Sequence, residues 1–201
     1  MKIEHQKGGL ISAFPLYSED LGIDVSNPEG RFKWFIASIL FGARISEKIA
    51  MKTYRTFEKY DLVTLENIIN AGWDELVRVL DEGGYARYDF STATKLRNIM
   101  KEIKERYCSF EDIYLQSKDT TDLRNRLMEF KGIGEVTSQI FLRELRGVWN
   151  IDLEVSQKAR DVAENLGINL TEYEGNDLAR IETALVKIYI RQYKKKKESY
   201  P

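Results

Sequence analysis

Apolar side chains recur three and four positions apart along most of this chain, which is the spacing of one face of an α-helix. Two helices are predicted within 31–60, with a tight joint at Gly42-Ala43-Arg44 and Ser46 as the N-cap of the second. Further helices are predicted over 64–71, 74–81, 91–107, 121–129, 135–145, 156–166 and 177–193. No segment sustains the alternation typical of a β-strand, so the sequence predicts an all-α protein.

The rarest residue types exclude several kinds of catalytic and metal centre. Cys108 is the only cysteine and His5 the only histidine among the 201 residues. A disulfide within the chain needs two cysteines, and a four-cysteine zinc site or iron–sulfur cluster needs four. A Ser-His-Asp triad needs a histidine in the body of the chain. The sequence therefore excludes these centres, and we expect no protein-bound cofactor.

Charge is nearly balanced along the chain, with a formal net charge of −1. The basic residues of the helix predicted over 91–107, among them Lys95 and Lys101, are interpreted as a solvated face. A basic run follows Arg191, with lysines at 194–197; it is typical of a solvated helix end, and a phosphate-contacting tail is the alternative. No stretch reaches the roughly 18 apolar residues that span a bilayer, so we expect a cytoplasmic protein without a membrane partner.

The most informative segment is Phe130-Lys131-Gly132-Ile133-Gly134, which lies between two predicted helices. Two glycines permit a tight turn with positive φ and a close approach of a ligand to the backbone. The helix that follows presents free N–H groups and the positive end of its dipole, which together favour an anion such as phosphate. A joint between packed helices also uses glycine for steric reasons alone, so this segment by itself leaves both readings open.

Three other segments accompany this hairpin: a later helix over 155–167, the stretch 34–40, and Gly83-Gly84-Tyr85 before a long helix. Together these features resemble the helix-hairpin-helix (HhH-GPD) DNA glycosylase superfamily, in particular its endonuclease III-like members, over residues 31–167. The resemblance implies an all-α, two-lobed fold, here without the iron–sulfur cluster. A helical barrel would comprise 31–145, and 1–30 together with 146–201 would form the second lobe.

The same resemblance implies a set of DNA contacts. Double-stranded DNA, damaged or abasic, would lie across the cleft, and a monomer on the nucleoid would suffice to bind it. Arg44 lies near the position where family members insert a polar side chain into the duplex; an exposed loop arginine is the alternative interpretation. A monovalent cation would bind at the hairpin backbone. The implied phosphate contacts are Lys131, Gly132, Ile133, Gly134 and Thr137.

The sequence departs from the family at both catalytic positions. Bifunctional members carry a lysine two residues after the second glycine, and this chain has Val136 there, which predicts no lyase activity of that type. The catalytic aspartate of the family falls on Ser156, which keeps a helix cap but lacks a carboxylate to stabilise positive charge on the sugar. Asp152 and Glu154 are the alternative carboxylates, provided that the connection before the helix is rearranged.

Three functions remain open from the sequence. The first is a monofunctional DNA N-glycosylase of base-excision repair that uses Asp152 or Glu154. The second is a catalytically inactive protein that binds damaged DNA or a DNA structure. The third is a helical protein-interaction scaffold that does not bind DNA.

Overall fold

The computed structural model describes residues 14–198 of the chain, with side chains described for 14–192. The described residues form ten α-helices and one short 3₁₀ helix, Leu170–Glu172, and they include no β-strand. The predicted all-α fold is therefore confirmed. The α-helices are α1 (Tyr17–Asp20), α2 (Pro28–Phe41), α3 (Glu47–Lys59), α4 (Leu65–Gly83), α5 (Asp89–Arg106), α6 (Asp112–Leu115), α7 (Thr120–Glu129), α8 (Glu135–Arg143), α9 (Gln157–Leu166) and α10 (Gly175–Glu198).

Local sequence signals explain several of these helix boundaries. The predicted N-cap Ser46 is confirmed, because its side chain accepts a hydrogen bond from the backbone N–H of Ile49 at the start of α3. Thr64 caps α4 in the same way through the N–H of Asn67. Gly72, at φ +77°, kinks α4 between the two shorter helices that the sequence predicts there.

One compact unit comprises Ile23–Phe141, and α2 lies in its core. Trp34 and Phe35 are almost completely buried, and the indole Nε1 of Trp34 donates to the carbonyl oxygen of Phe141 at 3.1 Å. The ring of Phe35 packs against those of Phe110 and Phe141, with centroids 4.8 and 5.4 Å away. Burial of these large aromatic side chains stabilises this unit.

The other unit contains 142–198 together with 14–22 among the described residues. Helices α9 and α10 share an apolar cluster that includes Ala159, Val162, Ile181 and Leu185. The carboxylate of Glu144 accepts hydrogen bonds from two backbone N–H groups at the start of α1, those of Tyr17 and Ser18, both at 2.9 Å. These bonds hold the start of α1 in this unit.

The boundaries between the units differ from the predicted ones at 31 and 145. Residues 23–27 belong with α2, because Asn27 caps that helix and the guanidinium of Arg31 donates to the carbonyls of Val25 and Ser26. Residues 142–145 belong to the other unit, where Glu144 makes its bonds. The lysine side chains at 194–197 and residue His5 lie outside the described residues. No helix in the described part is long and apolar enough to cross a membrane.

Candidate nucleic-acid interface

The predicted hairpin is a tight turn between α7 and α8. Phe130 ends α7 as a fully buried side chain, and its carbonyl accepts the N–H of Ile133 at 2.9 Å. Gly132 has φ +97°, a conformation that glycine adopts without steric penalty and other residues rarely adopt. Ile133 is buried, which anchors the turn in the core of its unit. The sequence-based assignment of a glycine-dependent turn is confirmed.

The outer side of this turn is open to solvent. Lys131, Gly132 and Gly134 are exposed, and a Cβ added to Gly134 would meet no atom within 4 Å. Helix α8 begins at Glu135, and the carbonyl of Gly134 accepts the N–H of Ser138 at 3.0 Å. The N–H groups of the first helical turn have no acceptor within their own helix. An anion can therefore reach these N–H groups past Gly134.

Three cationic residues lie in this turn or in segments that pack against it or against α8. Lys131 belongs to it, and the side chain of Lys95 from α5 passes over Gly132, with Cε 2.8 Å from the place that a Cβ on Gly132 would occupy. Arg44 follows Gly42, whose Cα lies so close to Thr137 in α8 that an added Cβ would overlap the threonine Oγ1.

Within the described part of the chain, none of the three cations has an acidic partner or a hydrogen-bond acceptor. The hairpin surface, as we call it, consists of these three cations and the two glycines: Arg44, Lys95, Lys131, Gly132 and Gly134. It combines unpaired positive charge with an open helix N-terminus.

Three residues next to the hairpin surface limit or oppose a phosphate contact. Thr137 is only 5% exposed and lies against Gly42, so a phosphate contact from this residue would come from its backbone N–H rather than its hydroxyl. The buried Ile133 is limited to a backbone contact in the same way. Glu135, at the first position of α8, brings an exposed carboxylate whose Oε1 lies 3.6 Å from a guanidinium nitrogen of Arg124.

Ser156 occupies the N-cap position of α9, but its hydroxyl makes no capping bond. Its Oγ is buried and has no hydrogen-bond partner within the described part of the chain. Its backbone N–H donates to Oε1 of Glu182 on α10 at 3.0 Å. The carboxylate next to the predicted aspartate position is therefore that of Glu182.

Glu182 is completely buried in an ion pair. Its Oε2 accepts a hydrogen bond from the guanidinium of Arg146 at 2.7 Å, and both side chains are shielded from water. Burial acts to raise the pKa of Glu182, but the charges of Arg143 and Arg146 outweigh it and hold that pKa below its usual value. A carboxylate held in this way stabilises its unit.

The two alternative carboxylates lie on the connection before α9. Asp152 and Glu154 are both exposed, and the side chain of Glu154 is 94% accessible. Its Oε2 lies 3.8 Å from a guanidinium nitrogen of Arg160. Both side chains are therefore exposed to water.

A solved structure with a similar fold identifies this architecture. The chain is similar in structure to the 3-methyladenine DNA glycosylase MagIII of H. pylori, seen in a crystal structure with 1,N6-ethenoadenine, with a TM-score of 0.55 over 94% of this chain and 98% of that one. The two sequences are 17% identical. The chain has the helix-hairpin-helix DNA glycosylase fold. The resemblance expected from the hairpin and its flanking helices is thereby confirmed at the level of the fold.

A similarity in sequence points the same way. The chain is 28% identical over 114 residues to a Methanocaldococcus jannaschii protein named "Putative DNA repair glycosylase MJ1434". The match covers 57% of this chain and 50% of the other protein, so the chain spans about half the length of this curated relative. No family model matches the chain.

Val136, to which the sequence resemblance assigns the position of the lyase lysine, has a side chain that is 61% exposed and carries no amine. Sequence reasoning missed two residues of interest, Lys95 and Glu182. Lys95 is not part of a solvated face as predicted, because it is half-buried against Gly132. Neither contact has a local sequence signal, since each joins helices that are distant along the chain.

Proposed function

We propose that this chain is a base-excision-repair protein that seats a backbone phosphate of damaged duplex DNA on the hairpin surface. We further propose that it releases the damaged base as a monofunctional DNA N-glycosylase. The observation that carries the proposal is the open turn at Gly132 and Gly134, with its free N–H groups and unpaired cations, inside a glycosylase fold. The names of the two similar proteins support the same reaction class.

The absence of strand cleavage follows from the residue at the lyase position. A lyase reaction needs an amine that attacks C1′ of the sugar and forms a Schiff base. Val136 offers only a hydrocarbon side chain at that point. We expect borohydride treatment of the protein with an abasic duplex to leave no covalent adduct, and an adduct on a denaturing gel would contradict the monofunctional assignment.

Hydrolysis of a glycosidic bond needs a carboxylate that stabilises positive charge on the sugar or activates water. Asp152 and Glu154 are the exposed carboxylates of the connection before α9, and we assign this role to one of them. Glu182 is unsuited to the task, because it is buried and its oxygens already accept bonds from Arg146 and Ser156.

A second candidate function is favoured by Ser156 itself. The resemblance assigns the family's aspartate position to Ser156, whose side chain is a buried hydroxyl without charge. A single electrostatic group of this kind stabilises a transition state by about 3–4 kcal/mol. Without the carboxylate that stabilisation is lost unless another group supplies it. The protein would then bind damaged DNA without releasing a base.

One experiment separates these functions. The purified chain is titrated with a duplex that contains a stable abasic analogue and with the undamaged duplex, each at two salt concentrations. The same samples are then assayed for base release on duplexes with alkylated, ethenoadenine-containing, oxidised and deaminated bases. Preferential, salt-sensitive binding with base release is the expected result. Binding without release on any duplex would leave the damage-binding function, and no binding at low salt would favour the scaffold without DNA.

Matched variants locate the carboxylate. Base release is expected to fall at least about a hundredfold in either Asp152→Asn or Glu154→Gln, with DNA affinity retained. Glu164→Gln on α9 is the control, because this exposed carboxylate lies beyond the connection. Unchanged release in both connection variants would contradict the assignment.

A further inference from the structure

Lys95 differs from the other lysines of α5 in its surroundings. Its Cγ, Cδ and Cε atoms lie 3.0, 3.0 and 2.8 Å from the place that a Cβ on Gly132 would occupy. The aliphatic stem therefore packs along the hairpin backbone, and it can do so because residue 132 has no side chain. Lys104 on the same helix is exposed and pairs with Glu66 at 2.8 Å.

In the protein without DNA, the charged ammonium of Lys95 is in an energetically unfavourable environment. The side chain is half-buried, and no hydrogen bond or ion pair compensates it within the described part of the chain. Burial lowers the pKa of Lys95, since desolvation disfavours the charged form. The adjacent turn leads into the N-terminus of α8, which is itself electropositive. This arrangement becomes favourable when an anion binds between the ammonium and the helix.

The same ammonium affects whether the hairpin backbone can bind the monovalent cation that the resemblance to the glycosylase family implies there. A bound cation there would lie near the ammonium of Lys95, whose aliphatic stem already packs against Gly132. Like charges in a partly desolvated site repel each other strongly. The residues of this hairpin therefore do not fit a bound monovalent cation.

We propose that the ammonium of Lys95 takes the place of that cation and supplies the fixed positive charge that pairs with the DNA phosphate seated at Gly132 and Gly134. The inference rests on the proposed DNA-binding function and assigns to it a residue outside the hairpin itself. Lys95 is then a DNA-binding residue contributed by α5.

The test compares three variants of α5. Lys95→Met keeps an unbranched stem over Gly132 and removes the charge, Lys95→Arg restores a charge, and Lys101→Met removes an exposed charge from the same helix. Affinity for an abasic duplex is measured over a series of NaCl concentrations. We expect Lys95→Met to bind about tenfold more weakly, with a salt slope smaller by about 1. Lys95→Arg and Lys101→Met are expected to stay close to the wild type.

Two further readouts distinguish a phosphate ligand from a structural lysine. Because the pKa of Lys95 is lower in the folded than in the unfolded chain, its penalty is present throughout neutral pH and is relieved only at alkaline pH. Lys95→Met should therefore raise the melting temperature while it weakens binding. Wild-type affinity should also be the same in NaCl, KCl and choline chloride at equal concentration.

Three outcomes would overturn the inference. If Lys95→Met bound DNA with the affinity and salt slope of the wild type, Lys95 would not contact the phosphate, while the proposed function would stand. Tighter wild-type binding in KCl or NaCl than in choline chloride would show that a bound cation is still required. No wild-type binding at low salt would overturn the proposed function, and this inference with it.

Discussion

Charges are arranged in opposite ways in two regions of this molecule. Around Ser156, the carboxylate of Glu182 and the guanidinium of Arg146 are buried and bonded to each other. On the hairpin surface, Lys131 lies in the turn and Lys95 packs over it, and neither has a counter-ion within the described part of the chain. Paired buried charges fix a structure, whereas unpaired charges beside an open helix N-terminus are suited to a charged ligand. The comparison predicts stability effects in the first region and binding effects in the second.

The largest effect is expected from Glu182→Gln. This change leaves Arg146 buried without its counter-charge, which should lower the free energy of unfolding by about 3 kcal/mol. The melting temperature should fall by roughly 6–12 °C for a chain of this size. Glu66→Gln is the control, because its pair with Lys104 is about half exposed and should contribute under about 1 kcal/mol. Equal losses in the two variants would refute the contrast between buried and exposed pairs.

The pH dependence of the same variant has a definite sign. Because the pKa of Glu182 is lower in the folded than in the unfolded chain, its stabilising effect is present above the unfolded value near 4.5. That effect is lost as the pH falls through the lower, folded pKa. Chemical denaturation of the wild type and Glu182→Gln should therefore give the largest difference at neutral pH and a shrinking one in acid.

The next effect separates the two glycines of the hairpin. Gly132→Ala forces a Cβ into a positive-φ conformation and against the stem of Lys95, which should cost about 1–2 kcal/mol of stability and also weaken DNA binding. Gly134→Ala adds a methyl group in open space, so stability should hold while the approach of a phosphate is hindered. Thermal melts and DNA titrations of both variants test this, and a destabilised Gly134→Ala would contradict the described turn.

Sequence patterns predicted those structural features that depend on residues close together along the chain. Helix α3 with its cap at Ser46, and the positive φ at Gly132, follow from local side-chain and backbone preferences. Helices α1 and α6 have four residues each, which is too short to show a periodic pattern.

The remaining differences involve contacts between distant residues. Ser156 was predicted correctly as the N-cap position, but its hydroxyl makes no capping bond, and its own backbone N–H donates to the carboxylate of Glu182, 26 residues later. The stem of Lys95 leaves the solvated face because Gly132, in the turn after α7, provides a surface to pack against. Periodicity along one helix carries no information about either partner.

A binding effect of similar size is expected from charge reversal in the turn. Lys131→Glu places a carboxylate beside the proposed phosphate, and we expect affinity for an abasic duplex to fall by more than about tenfold with a smaller salt slope. Lys101→Glu makes the same change on an exposed part of α5 and should lower affinity by far less. Equal losses in the two variants would indicate a general charge effect and would argue against a localised phosphate site.

The smallest effect should run in the opposite direction. Glu135 is the one acidic side chain at the start of α8, and its carboxylate stays 80% exposed despite Arg124 at 3.6 Å. A carboxylate near a helix N-terminus stabilises the helix by a few tenths of a kcal/mol, but it also repels a phosphate bound there. Glu135→Gln should therefore tighten DNA binding about twofold at low salt, with the gain fading as added salt screens the charge, and should lower the melting temperature slightly. Weaker binding in this variant would place the phosphate away from the N-terminus of α8. The cations of the hairpin surface would then bind the phosphate without a contribution from the N–H groups of that helix.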